Sequence, residues 1–123
     1  MTVVRFQDLP LASRDRSWDA DAAERRVRAW AQAESGPNGR YRKAFLWVDG
    51  DREDEFTAYK LPIADVVHGD LKAVPRAIMS AGGVIDGARG GVRLPPRDVS
   101  GVKRSLERYY DKMGEAPPWR KAA

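Results

Sequence analysis

The period of apolar and polar positions changes along this chain, and each change marks an element. Residues 1–17 hold a short β-type run, Val3-Val4-Arg5-Phe6, then Leu9-Pro10-Leu11-Ala12 and the charged Ser13-Arg14-Asp15-Arg16-Ser17. They read as an extended arm that packs through Leu9 and Leu11. The period then becomes helical. Ala20, Ala23, Val27, Trp30 and Ala31 share one face, with Glu24, Arg25, Arg26 and Arg28 off it. Ser17, Asp19 and Asp21 offer N-cap oxygens and negative charge at the positive end of this helix. Ser35-Gly36-Pro37-Asn38-Gly39 stops it.

The middle of the chain is strand-like. Ala44-Phe45-Leu46-Trp47-Val48 is an apolar β-rich run, and Asp49 to Glu55 is a polar loop opened by Asp-Gly. Phe56 to Leu61 alternates before Pro62, which predicts a β-hairpin. Ile63 to Val67 and Leu71 to Val74 flank His68-Gly69-Asp70 as a second hairpin. Pro75 suits the first position of a helix whose inner face would be Ile78, Met79, Gly82, Ile85 and Ala88. Gly82-Gly83 weakens that helix by about 1 kcal/mol per glycine relative to alanine, so close packing against a neighbour is expected. Gly87-Ala88-Arg89-Gly90-Gly91 reads as a tight loop. After Pro95-Pro96, an unbroken stripe of Val99, Val102, Leu106, Tyr109, Tyr110 and Met113 predicts the last helix, ended by Gly114. The fold class is α+β: a small antiparallel sheet of two hairpins packed against about three helices. The expected organisation is an arm over 1–17, one domain over 18–114 and a Pro-Pro-Trp tail over 115–123.

The 123 residues suit one domain, and 42% apolar with 33% charged residues describes a modest core under a densely charged surface. No window approaches the roughly 18 consecutive apolar residues of a membrane span, so no membrane partner is expected. The opening residues lack the charged-then-apolar layout of a secretory signal. With no cysteine, disulfides and thiolate chemistry are excluded, which permits a reducing cytoplasm. Twenty-two basic against eighteen acidic residues, a net charge of +4, is compatible with a polyanion partner without requiring one.

Candidate chemistry is sparse. His68 is the only histidine, which leaves no Ser-His-Asp triad and no histidine metal site. The carboxylates from Asp49 to Glu55 miss the calcium-loop order, because glycine falls at the second position and Lys60 stands at the twelfth. Gly82-Gly83 and Gly87-x-x-Gly90-Gly91 fit neither dinucleotide nor P-loop spacing. Arg89 and Arg93 beside these glycines are candidate anion contacts. Arg97, Arg104, Arg108 and Lys112, at i, i+7, i+11 and i+15, form a basic stripe on the last helix, partly neutralised by Glu107 and Asp111. Trp30 and Trp47 sit on expected core faces. Trp18, at a helix entrance, and Trp119, beside two prolines, have no obliged core and are candidate anchors for a partner.

A set of segments carries a family resemblance. Trp18 to Ala23 with Arg28-Ala29-Trp30-Ala31, Ala44 to Asp49, Tyr59 to Val66, Ala73 to Ile78, Gly87 to Val92, and Tyr109 to Gly114 with the Pro-Pro-Trp tail resemble a small domain of tailed bacteriophages and prophages. That domain lies in head-gene neighbourhoods and attached to head-maturation proteases or Mu-like protease/scaffold proteins, and the resemblance spans about residues 9–119. It implies a phage-head accessory, decoration or capsid-docking protein located in the virion or host cytoplasm, with the major capsid protein as partner. The serine and histidine of the associated proteases have no counterpart here, so no catalytic residue, metal or cofactor is expected. Docking would then use Trp18, Trp119 and the arm with Leu9 and Leu11, the arm adding a strand to a neighbour's sheet edge. Deleting residues 1–12 should abolish attachment and leave thermal stability nearly unchanged. The alternative is a nucleic-acid-binding domain using Arg97, Arg104, Arg108 and Lys112 with Arg89 and Arg93.

Overall fold

The computed structural model describes residues 3–87 and 93–120. Helix α1 spans Ala20–Trp30, and among the three candidate caps Asp19 is the one used, its side chain accepting from the Ala22 amide at 3.2 Å. Ala23, Val27 and Ala31 are buried as the helical period predicts, while Trp30 is half-buried with the Arg40 guanidinium 4.2 Å above its ring. Within the stretch expected to be loop, Gly39–Arg42 forms a single turn, α2. Asn38 makes that turn possible: its carbonyl accepts from the Tyr41 amide at 2.9 Å and its NH2 donates to the Ala31 carbonyl at 2.8 Å. The turn drives Tyr41 into the core, where it meets Phe45, Phe56 and Tyr59 at ring-centroid distances of 4.8, 5.2 and 5.2 Å.

Strands β1 (Phe45–Val48) and β2 (Tyr59–Pro62) pair antiparallel, with Phe45 opposite Pro62 and Trp47 opposite Lys60. All four residues of β1 are buried, because both its faces are covered. Phe56–Ala58, whose alternation predicts strand, is instead a 3₁₀ turn that folds Phe56 edge-on against Tyr41. Strands β3 (Ala64–Val67) and β4 (Asp70–Ala73) form the second hairpin. Its turn residues His68 and Gly69 have φ of 52° and 84°, the paired positive values of a two-residue hairpin turn. The hairpins stay two separate two-stranded sheets. Ile63 joins them, its amide donating to the Ala44 carbonyl and its carbonyl accepting from the Val74 amide, each at 2.8 Å.

Helices α3 (Pro75–Ile85) and α4 (Pro96–Met113) pack against each other. Gly82 is their contact point: a Cβ there would collide with the Tyr110 hydroxyl, which accounts for a glycine inside a helix. One inner-face expectation fails. Met79 is 43% exposed, because Ala77, Ile78, Ala81 and Gly82 already form the buried stripe. Met79 lies about 100° past Ile78, beyond the edge of that stripe. Ala88, also expected there, lies outside the described residues, as do Arg89, Gly90, Gly91 and Val92. On α4, Val102, Leu106, Tyr109, Tyr110 and Met113 are buried, Val99 is half-buried, and Gly114 closes the helix with φ 72°. The buried Asp98 in its first turn accepts from the Trp47 indole N–H at 3.0 Å.

The first segment is extended, and it is also part of the core. Val3 bridges to Trp47 and the Val4 amide donates to the Leu46 carbonyl, so the segment covers the free edge of β1. Further on, Leu11 bridges Ala73 in parallel, with bonds of 2.9 Å from the Ala73 amide to the Pro10 carbonyl and 2.8 Å from the Ala12 amide to the Ala73 carbonyl. Val4, Leu9 and Ala12 are buried. The Leu9 amide donates to the Tyr109 hydroxyl at 3.2 Å, and burial pushes that hydroxyl's pKa up to about 12.

Asp65 is the polar pin of this assembly. Its side chain is 3% exposed and bound by Arg26 through two bonds of 2.9 and 2.7 Å and by Arg16 of the arm at 3.1 Å. Burial alone would raise its pKa, but hydrogen bonds from Arg26, the Val66 amide and Arg16 outweigh it and hold the carboxyl below its ordinary value.

Candidate docking surface around Trp18

Trp18 stands just before the Asp19 cap, where the arm becomes α1. It is half-buried against a small apolar group of Ala12, Val74 and Ala77. Its exposed part lines a cleft of about 150 Å³, closed by Ala20 from α1, Leu61 and Pro62 from β2, and Ser80, Ala81 and Val84 from α3. Apart from the indole N–H of Trp18, Ser80 supplies the one polar side-chain group among these lining residues. Leu61, on one wall, has φ 60°. For a branched side chain this left-handed conformation is an outlier that costs roughly 1–3 kcal/mol, and such strain concentrates at functional surfaces. The surrounding structure enforces it: the Leu61 side chain is buried, and the chain must turn there from β2 towards β3.

Trp119 is placed differently. Its indole N–H donates to Glu107 at 2.8 Å, its ring meets the edge of Tyr110 at 6.3 Å, and the Lys103 ammonium stands 5.1 Å from its centroid. Arg120 also pairs with Glu107, at 3.3 Å. The Trp119 bond, then the contacts from Arg120, hold the Glu107 carboxyl below its ordinary pKa. Of the arm residues expected to dock, Leu9 faces inward and Leu11 is half-buried beside Ala73.

The basic candidates divide. Arg93, Arg97 and Arg104 are exposed and make no ion pair among the described residues. Arg108 is exposed with its guanidinium 4.0 Å above the Phe6 ring. Lys112 turns back to the arm, donating to the Asp8 carboxylate at 2.9 Å and the Leu9 carbonyl at 2.7 Å. Arg89 lies outside the described residues.

Two roomier clefts offer less. One of about 310 Å³ lies between Pro37–Gly39 and Arg42, Glu53, Asp54 and Tyr59. Three of its polar residues are already engaged with one another, through a 2.7 Å Arg42–Glu53 ion pair and a 2.8 Å bond from the Tyr59 hydroxyl to the Glu53 carbonyl. The other, about 300 Å³, is bounded only by Asp21, Glu24, Arg25 and Arg28 on the outer turns of α1. Burial, then Asp21, raises the Glu24 pKa there. His68 is exposed at its turn beside the exposed Asp70, and Asp65, three residues before it, is engaged by two arginines.

Trp18 was singled out in the sequence as a candidate anchor, but its cleft was not legible there. The opposing wall depends on where α3 packs and on the φ of Leu61, and neither leaves a local signal. Among the described residues no helix is long and apolar enough to cross a membrane. No family model, curated protein or solved structure matches this chain.

Proposed function

We propose that this protein is a non-enzymatic docking module of a tailed-phage or prophage head, and that it holds the capsid shell through the cleft beside Trp18. The observation that carries the docking reading is a tryptophan half-open over an apolar cleft walled by a strained leucine. Aromatic residues beside a desolvated pocket are the usual anchors of protein interfaces. A cleft of about 150 Å³ suits one inserted apolar side chain better than a small-molecule substrate, for which pockets of roughly 300–1,000 Å³ are typical. The head context comes from the sequence resemblance.

The test is capture from a lysate of source cells with tagged protein, with and without nuclease, beside a Trp18→Ala variant whose fold is checked by circular dichroism. The expected result is recovery of the major capsid protein regardless of nuclease, and its loss with the folded variant. Retention by Trp18→Ala overturns the cleft as the docking site. Recovery of nuclease-sensitive material alone overturns the capsid reading.

A further inference from the structure

A second surface, remote in chemistry from the cleft, is built jointly by the arm and α4. The arm lies along this helix: Val3 sits over Gly101, Phe6 under Arg108 and against Tyr109, and Asp8 against Lys112. Gly101 is what allows the close approach, since a Cβ there would stand 3.1 Å from a Val3 methyl. The exposed Arg5 therefore falls beside the turns that carry Arg104 and Arg108. We infer that Arg5, Arg97, Arg104 and Arg108 form a phosphate-binding row, and that its ligand is double-stranded nucleic acid held by its backbone without regard to sequence.

The cations of this region are sorted by type. Both lysines are engaged internally, Lys112 by the arm and Lys103 over the Trp119 ring, whereas the four arginines make no ion pair among the described residues. Arginine's planar fork matches phosphate oxygens in pairs. Arg108 is exposed with its guanidinium 4.0 Å over the Phe6 ring, a contact that leaves it without a carboxylate partner among the described residues. Along α4 the row is straight, with Arg97 to Arg104 rising about 10.5 Å and Arg104 to Arg108 about 6 Å. Asp111, next on the same exposed side, and Asp8, paired with Lys112, limit its length at that end, while Glu107 is engaged by Trp119 and Arg120.

A duplex fits better than a single strand. Single-strand binders rely on aromatic faces for base stacking. Here Phe6 lies beneath a guanidinium, and the Trp119 ring is covered by Lys103 and the edge of Tyr110. A row of cations alone suffices for a duplex backbone, where phosphate contacts supply affinity and no sequence information. This reading uses none of the Trp18 surface and stands or falls separately from the capsid proposal.

The experiment is fluorescence anisotropy of the full chain with a short labelled duplex of arbitrary sequence, titrated over salt. About three to four neutralised phosphates give a slope of log affinity against log salt near −3. Arg97→Gln with Arg104→Gln, both exposed, should shrink that slope by about 2 and weaken low-salt binding by roughly tenfold or more. The Arg97→Lys, Arg104→Lys pair should keep the slope, and an unchanged melt shows that neither variant acts through folding. Absence of binding at low salt overturns the inference. So does a slope that the glutamine pair leaves unchanged, or polyglutamate competing as well as duplex at equal charge.

Discussion

The two ends of the described chain both supplied candidate docking residues, Leu9 and Leu11 in the arm and Trp119 in the tail, but they are built into the molecule differently. The arm contributes Val4, Leu9 and Ala12 to the core, covers the edges of β1 and β4, and sends Arg16 to the buried Asp65. The tail rests on the outside of α4 through Trp119 and Arg120, both on Glu107, with only Pro117 buried among its described residues. Aromatic and apolar residues near a terminus look the same in sequence whether they close a core or lie on its surface. What separates them is partner supply. The hairpins leave β1 and β4 with unpaired edges that the arm satisfies, whereas the tail meets the α4 backbone only at its first residue, where the Glu115 amide donates to the Tyr110 carbonyl at 3.0 Å.

The largest expected effect tests the arm. Removing residues 1–12 exposes the sites of Val4 and Leu9, each worth about 1.5–3 kcal/mol when buried. With the lost edge pairing the sum reaches about 5 kcal/mol, the lower end of total domain stability. Urea or thermal unfolding should therefore show residues 13–123 largely unfolded or melting far below the full chain. This replaces the sequence-based expectation of an unchanged melt. A melting temperature within a few degrees of the parent would show that the arm is dispensable after all.

Asp65→Asn should come next, costing about 2–3 kcal/mol, since it leaves Arg16 and Arg26 without their carboxylate but still partly solvated. Its pH signature follows from the lowered pKa. A carboxyl depressed in the fold contributes stability that is complete above its ordinary pKa of about 4 and lost as pH falls through the folded value. Urea midpoints of the parent should drop on acidification below about pH 4, and those of Asp65→Asn should drop less steeply. Parallel acid limbs would remove Asp65 from this role. The smallest effect belongs to the tail. Trp119→Ala removes one hydrogen bond and a half-buried ring, about 1–2 kcal/mol by equilibrium unfolding. A loss as large as that of the arm deletion would erase the contrast between the two ends.

Elements that rest on short-range chemistry were legible in the sequence. The α4 stripe and its closing Gly114, the α1 period, the His68-Gly69 turn and the need for a close neighbour at Gly82 all follow from residues within a few positions. The departures have non-local causes. Gly39–Arg42 turns helical because Tyr41 has an aromatic cluster to enter, and Phe56 leaves the strand pattern for the same cluster. Met79 is displaced by the exact rotation of α3. Asp65 is the one charged residue of the apolar run Ile63 to Val67, and only the approach of Arg16 and Arg26 from distant positions supplies the partners that let it be buried. The Trp18 cleft is likewise assembled from segments far apart in the chain, whereas the arginine row was legible as a stripe on α4 and only the arrival of Arg5 beside it was not.

The bond from the Leu9 amide to the Tyr109 hydroxyl joins residues 100 positions apart. It has a consequence in time. Closing so long a loop is entropically costly, and contacts of this kind form late, after the local helices and hairpins are in place. During synthesis the arm emerges before its receiving helix. Leu9 therefore lacks its Tyr109 partner until α4 leaves the ribosome, and a stalled or truncated chain lacking that helix would present this part of the arm as an adhesive strand.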